Sequence, residues 1–151
     1  SHLKHASFLI ICKVDNLKLY TLQIQHIGHN LYKGMPSSFI RQLKDLKPIS
    51  VNRAFYGRRY PTKEYQAYKT ELGFLLGKIK PITGYVQVYL RFGVPKKTFA
   101  IADCDNWNKP TLDAIVERGV IEDDRFVLKL TTEKYLNKDY QIDIEIRSFI
   151  P

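Results

Sequence analysis

Apolar and polar residues alternate along two segments of the chain, residues 85–94 and 140–149. Every second residue of the first segment, from Val86 to Phe92, is apolar, and isoleucines alternate with polar residues in the second. A period of two is typical of a strand with one buried face and one wet face. We therefore predict strands over both segments and a third strand over residues 126–133, joined to the last by a short turn.

Two other segments, residues 62–80 and 106–118, carry apolar residues at helical spacing. Thr62 is a favourable N-cap for the first helix, and Gly119 is a favourable stop for the second. Pro110 is tolerated only in the first turn of a helix, so it fixes where the second helix begins. The apolar stripe of the first helix consists of Tyr65, Tyr68, Leu72, Leu75, Leu76 and Ile79.

The remaining segments are less regular. Residues 7–27 predict a β-hairpin around an Asp-Asn turn, and residues 28–36 predict a loop. Residues 37–47 fit both a helix and a strand, whereas residues 47–60 predict a loop and residues 95–102 a connection. We therefore predict one small α+β domain with a mixed β-sheet, two main helices and an extra N-terminal β-hairpin.

Length and composition support a single packed domain, with 151 residues of which 44% are apolar and 13% aromatic. No apolar run is long enough to span a bilayer, and no leader pattern marks secretion. Cys12 and Cys104 lie far apart and nothing supports a disulfide between them, so their scarcity fits a reducing compartment. We expect a cytoplasmic protein without a membrane partner.

The chain is basic, with 24 Lys and Arg against 15 Asp and Glu and a formal net charge of +9. Nucleic acid is the first partner that such a charge suggests. Basic and aromatic side chains are interleaved over residues 47–60, which suits a DNA backbone with exposed bases. A solvated loop held by aromatic anchors is the alternative. The candidate DNA-binding residues are Asn52, Arg53, Arg58, Arg59, Lys96 and Lys97.

Acidic residues concentrate within residues 103–124. Asp103 and Asp105 are two positions apart, so in an extended segment both side chains point to one face and Cys104 points to the other. Lys109 lies one helical turn beyond Asp105 and on the same side of the helix. We therefore expect two carboxylates and one amine to converge where the second helix begins.

A second acidic cluster, Glu122 to Asp124, lies between the helix stop and the third predicted strand. The apolar pair before it is expected to be buried, which brings this cluster back beside the first. Carboxylates without nitrogen or sulfur ligands form a hard site, for which Mg²⁺ or Mn²⁺ is expected. Such an ion cleaves phosphodiesters by activating water, and a lysine beside it stabilises the phosphate. All four histidines lie within the first thirty residues, so zinc is not expected.

Each acidic residue also has a purely structural interpretation. Asp105 fits a helix cap, and Asp123 and Asp124 fit a turn. Asp113, one turn beyond Lys109, fits an exposed ion pair with that lysine. The conjunction of both clusters with the lysine in a basic chain favours the metal site over these alternatives.

At these residues the sequence resembles the RusA-type Holliday-junction resolvases. The resemblance rests on Asp103-Cys104-Asp105-Asn106 with Lys109, and on Gly119-Val120-Ile121-Glu122-Asp123-Asp124. Upstream, residues 48–52 with Tyr56 resemble the early loop of that family, and residues 64–72 resemble its next helix. The similarity runs from Pro48 to the end of the chain. We therefore divide the sequence into an N-terminal extension, residues 1–47, and a RusA-like endonuclease domain, residues 48–151.

The resemblance implies a homodimeric, Mg²⁺-dependent endonuclease with a small α/β fold that nicks four-way DNA junctions symmetrically. It implies that Asp103, Asp105 and Asp124 are the acidic catalytic residues and bind the metal, and that Lys109 is also required. Two features depart from the family. The extension of residues 1–47 is longer than usual, and the segment before Asp103 is less basic, for which other basic residues such as Arg58 and Arg59 compensate.

Three other functions are consistent with parts of the sequence. A metal nuclease for other branched DNA, such as flaps or forks, would use the same acidic residues. A non-catalytic DNA-binding module would keep the basic surface without the metal. A nucleotide-sugar transferase would use the two aspartates, but the small size and the lack of a nucleotide-binding pattern disfavour it.

Overall fold

The structure, a computed structural model, describes residues 38–149. The chain divides into two units, Ser1–Met35 and Pro36–Pro151, and every described residue belongs to the second. The hairpin predicted at residues 7–27 and the loop predicted at residues 28–36 therefore lie outside the described residues.

Strands and helices are mixed along the described part of the chain, which confirms the α+β class. The strands are β1 (Ser38–Lys44), β2 (Phe55–Tyr56), β3 (Tyr60–Pro61), β4 (Val86–Val94), β5 (Val127–Leu136) and β6 (Gln141–Ser148). The helices are α1 (Val51–Ala54), α2 (Lys63–Leu76), α3 (Lys96–Ile101) and α4 (Asn108–Arg118). Two 3-10 turns, Cys104–Trp107 and Asp124–Phe126, flank α4.

The main sheet has four strands in the order β1-β6-β4-β5. The strands β1, β6 and β4 pair antiparallel, whereas β4 and β5 pair parallel, so the predicted mixed sheet is confirmed. Residues 38–44, whose spacing fits both a helix and a strand, pair with β6 along their whole length. This edge pairing satisfies the backbone groups of the segment, and helical spacing alone could not reveal it.

The parallel pairing of β4 and β5 dictates the position of the acidic stretch. Two parallel neighbours need a long crossover connection, and here it carries α3, both 3-10 turns and α4. The helices α2 and α4 pack against each other and against the apolar side of the sheet. The fully buried core residues of the central strands are Val86, Leu90, Phe92, Val94, Ile142, Ile144 and Ile146.

The first predicted helix begins as expected but ends early. Thr62 is the N-cap of α2, and its hydroxyl oxygen accepts a hydrogen bond from the backbone N–H of Tyr65 at 3.1 Å. The helix ends at Leu76 rather than at residue 80, because Gly77 adopts a φ of 65° that a helix cannot continue through. The prediction over residues 62–80 is therefore confirmed at its start and wrong in its last turn.

Two segments predicted to be irregular contain regular structure. Residues 47–60 include α1 and the two-residue strands β2 and β3, which pair antiparallel. The connection predicted over residues 95–102 is the helix α3. None of the α3 residues is buried, so the helix lacks the apolar stripe that makes periodicity detectable.

The prediction of a wet face on β6 is wrong. Asp143 and Glu145 point away from the isoleucines, yet they are only 3% and 5% exposed. The strand β6 lies between β1 and β4, and long side chains from neighbouring positions cover its polar face. Tyr135 donates a hydrogen bond to the Asp143 carboxylate at 2.9 Å, and Arg147 forms an ion pair with Glu145. These partners compensate the cost of burying charge.

No helix within residues 38–149 combines the length and the apolar character that a membrane crossing requires.

Candidate active site

The first two aspartates of the acidic stretch lie on a tight turn instead of an extended segment. Asp103 has extended dihedral angles, but a 3-10 turn begins at Cys104, and the backbone N–H of Asn106 donates to the carbonyl of Asp103 at 3.3 Å. The expectation of an extended motif is therefore wrong, because the turn closes immediately after Asp103. Asp103 and Asp105 are both exposed, and Cys104 packs against the core as expected.

Trp107 anchors this turn to the sheet. Its indole is 4% exposed, and its ring centroid lies 5.1 Å from that of Phe92 on β4. The backbone carbonyl of Trp107 accepts a hydrogen bond from the hydroxyl of Thr111 at 2.7 Å, and this hydroxyl lies 2.9 Å from that of Tyr68. Sequence reasoning missed this anchor, although its signal was the single tryptophan of the chain, placed inside the acidic motif.

The helix α4 matches its sequence signals. Pro110 lies in the first turn, where its missing N–H costs no hydrogen bond. Gly119 ends the helix in the left-handed region with a φ of 85°, as predicted for a glycine stop. The exposed side of the helix then carries Lys109 and Asp113 one turn apart.

Lys109 contacts one carboxylate of α4 and one carboxylate of the second acidic cluster. Its Nζ lies 2.6 Å from Asp113 Oδ1 and 3.0 Å from Asp124 Oδ2. The hydrogen bonds to Asp113 and then to Asp124 raise the pKa of Lys109 above its ordinary value. Conversely, the hydrogen bond from Lys109 is the main cause that lowers the pKa of Asp124. The structure therefore brings Lys109, Asp113 and Asp124 together as a charged cluster.

Asp124 reaches Lys109 because the segment after α4 is fixed in place. Val120 and Ile121 are buried, as predicted, and Ile121 pairs with Ile82 in a parallel bridge. The backbone N–H of Ile82 donates to the carbonyl of Val120 at 2.8 Å. Asp123 instead accepts the backbone N–H of Arg125 at 2.9 Å, so it caps the 3-10 turn that holds Asp124.

Tyr65 supports the cluster from beneath. This side chain is 2% exposed on α2, and its hydroxyl donates to Asp113 Oδ2 at 3.1 Å. Burial, followed by the charge of Asp113, raises the pKa of Tyr65, so the hydroxyl remains a donor at neutral pH. From the sequence, Tyr65 is assigned only to the apolar stripe of the helix. Apolar spacing predicts that the ring is buried, but it does not predict the hydrogen-bond partner of the hydroxyl.

The carboxylates suit a hard cation, although they are not gathered as a preformed cage. Among residues 38–149, no group of three or more His, Cys, Asp or Glu side chains is arranged to hold a metal ion. Asp103 and Asp105 are exposed and have no hydrogen-bond or ion-pair partner among the described side chains. Oxygen ligands that are free of protein partners fit Mg²⁺ or Mn²⁺, whereas Asp124 is occupied by Lys109.

The candidate DNA-binding residues form two exposed basic regions. Asn52 and Arg53 lie on α1, and Arg53 pairs with Glu64 at 3.3 Å. Arg58 and Arg59 lie in the exposed turn between β2 and β3. The second region, at the start of α3, consists of Lys96 and Lys97.

The aromatic side chains of the first region differ in exposure, which bears on both interpretations of this loop. Tyr56 and Tyr60 are 66% and 72% exposed, so they do not anchor the loop to the core. Phe55 does so instead, with its ring centroid 5.1 Å from that of Tyr65. Phe55 thus supplies the aromatic anchor of the solvated-loop interpretation, while the exposed tyrosines beside two arginines are available to stack on bases. The DNA-binding role of this loop stays a prediction.

Comparison with known proteins identifies the family. The family model of the endodeoxyribonuclease RusA matches residues 46–147, which is more than half of the chain and includes every candidate residue described above. A search of curated proteins finds no match. The chain therefore belongs to the RusA family of endodeoxyribonucleases.

Proposed function

We propose that this protein is a Mg²⁺-dependent endonuclease that acts as a homodimer and resolves Holliday junctions by paired symmetric nicks. The observation that carries the proposal is the contact of Lys109 Nζ with Asp124 at 3.0 Å, which holds the second acidic cluster at the first turn of α4. The membership of the RusA family supports DNA as the substrate, and the net charge of +9 agrees with it.

In this proposal, Asp103, Asp105 and Asp124 hold the cation. When bound, Mg²⁺ or Mn²⁺ would activate water and neutralise charge on the scissile phosphate. Asp103 and Asp105 would supply exposed carboxylates from the 3-10 turn, which Trp107 holds against the sheet. Asp124 would supply the third carboxylate, in place of its contact with Lys109.

Lys109 stabilises the scissile phosphate. A protonated amine is needed for this role, and the hydrogen bonds that raise the pKa of Lys109 keep it charged. Its Nζ donates to a non-bridging phosphate oxygen, where negative charge grows in the transition state. The amine already contacts Asp124, one of the carboxylates that would hold the cation, so both positive charges would act on the same phosphate.

The exposed basic regions hold the DNA arms. Arg58 and Arg59 pair with backbone phosphates, and Tyr56 and Tyr60 stack on bases that are unpaired at the branch point. Lys96 and Lys97 form the second basic region, at the start of the crossover that carries the proposed catalytic residues, and would bind further phosphates. Symmetric cutting follows from the dimer, because a two-fold junction presents two matched phosphates to two matched sites.

The test is cleavage of a synthetic four-way junction with Mg²⁺ by the wild type and by Asp105→Asn. The control variant Asp139→Asn makes the same chemical change at an exposed turn outside the site. We expect paired nicks from the wild type and from Asp139→Asn, and binding without cleavage from Asp105→Asn.

Linear duplex, flap and fork substrates of matched sequence complete the panel. Faster cleavage of flaps or forks than of the junction would replace the proposed substrate. Tight, salt-sensitive binding without cleavage of any substrate would indicate a DNA-binding module instead.

A further inference from the structure

Asp113 uses both carboxylate oxygens for different partners. Oδ1 accepts a hydrogen bond from Lys109 Nζ at 2.6 Å, and Oδ2 accepts one from the hydroxyl of Tyr65 at 3.1 Å. The side chain is mostly covered, with 27% of its surface exposed, whereas Lys109 is 55% exposed. Asp113 thus connects Lys109, a long side chain of a flexible type, to Tyr65, which is fixed in the core.

The fixed group is held by packing on several sides. Tyr65 is buried in α2, its ring contacts Phe55, and the Nζ of Lys69 lies 4.8 Å from its ring centroid. A side chain packed in this way keeps one rotamer, so its hydroxyl fixes the orientation of the Asp113 carboxylate. This orientation in turn fixes where the Lys109 amine can lie.

Lys109 is shared between two carboxylates with different duties. Under the proposed function, Asp124 binds the cation, and its oxygen cannot serve the cation and the Lys109 amine equally well. Asp113 lies one turn further along α4 and does not bind the cation in this proposal. Its hydrogen bond to Lys109 therefore remains when the cation is bound to Asp124. The amine then retains one anchor near the scissile phosphate.

We propose that Asp113 is a positioning residue that holds Lys109 beside the scissile phosphate while Asp124 binds the cation. This inference rests on the proposed function and adds a residue to it. An exposed pair of residues four apart on a helix contributes only about 0.3–0.5 kcal/mol to stability. The hydrogen bond from Tyr65 distinguishes Asp113 from such an exposed pair, because an ion pair that only adds stability does not require a hydrogen bond to a buried side chain.

The first test separates rate from affinity. Single-turnover cleavage of saturating junction is measured for Asp113→Asn, which keeps an oxygen for Tyr65 but loses the charge that holds Lys109. We expect the rate to fall by about tenfold or more, as for groups that orient catalytic residues, with unchanged junction affinity and thermal stability. The matched control is Asp139→Asn, the same chemical change at an exposed turn outside the site.

The second test asks whether Asp113 acts through Lys109. Asp113→Asn is combined with Lys109→Ala, and Mn²⁺ affinity is measured by titration, which requires no turnover. With Lys109 present, loss of Asp113 leaves the amine only Asp124, so Mn²⁺ binding should weaken by about two- to fivefold. In the Lys109→Ala background, Asp113→Asn should change Mn²⁺ affinity no more than Asp139→Asn does.

The outcomes of the two tests are distinct. Wild-type cleavage rates in Asp113→Asn, or an equal loss of Mn²⁺ affinity with and without Lys109, would overturn the inference and leave the proposed function standing. A wild type that neither binds Mn²⁺ nor cuts branched DNA would overturn the proposed function, and this inference with it.

Discussion

Lys109 Nζ and Asp124 Oδ2 lie 3.0 Å apart, although the two residues are separated by 15 positions in the chain. The ion pair spans the helix α4 and the buried segment that follows it. Because it is exposed and screened by water, we expect it to contribute little to stability. Under the proposed function, the ion pair places the carboxylate that would bind the cation next to the amine that would bind the phosphate.

Asp124→Asn is expected to reduce junction cleavage by at least about 100-fold, since even groups that only support metal ligands cost up to this factor. Junction affinity should be unchanged or slightly higher, because one negative charge near the phosphates is removed. Quenched-flow cleavage with parallel binding titrations measures both quantities. Equal losses of rate and affinity would instead assign Asp124 to DNA binding.

The same variant has a predicted pH dependence. Lys109 lowers the pKa of Asp124 in the folded protein, so the contribution of this carboxylate to stability is present above the unfolded pKa of about 3.9. It is lost as the pH falls through the lower folded value. The difference in free energy of unfolding between wild type and Asp124→Asn should therefore shrink below about pH 4. A difference that grows on acidification would contradict the pairing.

Arg58 and Arg59 are expected to act through DNA affinity. Replacing both by Ala should lower the slope of log affinity against log salt by about 0.9 for each phosphate that the variant no longer neutralises. The cleavage rate at saturating DNA should not change, because in the proposed function these arginines bind the DNA backbone and take no part in the chemical step. Lys138→Ala, at an exposed lysine of the β5–β6 turn, is the control and should leave the slope unchanged.

Tyr135→Phe is expected to destabilise the fold by about 1–3 kcal/mol, because the buried carboxylate of Asp143 loses a donor. Urea unfolding at neutral pH measures the difference. Tyr85→Phe, at an exposed tyrosine without a hydroxyl partner among the described residues, should cost far less.

The tyrosine at position 135 also predicts alkaline behaviour. Burial and the hydrogen bond to Asp143 raise the pKa of Tyr135 to about 12. The unfolded chain loses this proton near pH 10, so wild-type stability should fall between about pH 10 and 12, where the folded state still holds it. The fall of the free energy of unfolding with pH in this range should be smaller in Tyr135→Phe. An unchanged slope would mean that Tyr135 titrates normally.

Gly93 faces Tyr135 across the β4–β5 ladder, and a Cβ on residue 93 would lie 2.6 Å from the tyrosine ring. Gly93→Ala should therefore cost about 1–3 kcal/mol through overpacking. The cost should fall when Tyr135 is replaced by Val, which a double-mutant cycle measures. Additive effects would show that the ring does not occupy this space.

The sequence predicts those features that depend on local chemistry. Thr62, Pro110 and Gly119 mark helix boundaries because each acts on its own backbone. The chain returns after Gly119 so that Asp124 contacts Lys109, because a turn after a helix of known length limits where the chain can lie. The expected approach of Asp124 to Asp103 and Asp105 stays a prediction. The metal-binding and DNA-binding roles of these residues stay predictions.

Features that depend on distant partners are hidden from the sequence. The burial of Asp143 requires knowing that β6 lies between two strands, and the hydroxyl of Tyr65 requires knowing that α2 packs on α4. The exposed helix α3 cannot be predicted from the sequence pattern, because its residues have no apolar periodicity. The environments of Asp143 and Tyr65 depend on contacts between segments that are far apart in the chain. Periodicity within a single segment cannot predict such contacts.

Because the crossover between β4 and β5 carries the acidic stretch, the contact between Asp124 and Lys109 depends on the pairing of β5. Within the described sheet, β5 is an edge strand that pairs only with β4. If β5 peels away, Asp124 is drawn off Lys109 while the three other strands remain paired. Such sub-global openings have lower free energies than complete unfolding. Heating should therefore abolish nuclease activity reversibly before the fold melts, and hydrogen exchange in β5 should report the loss.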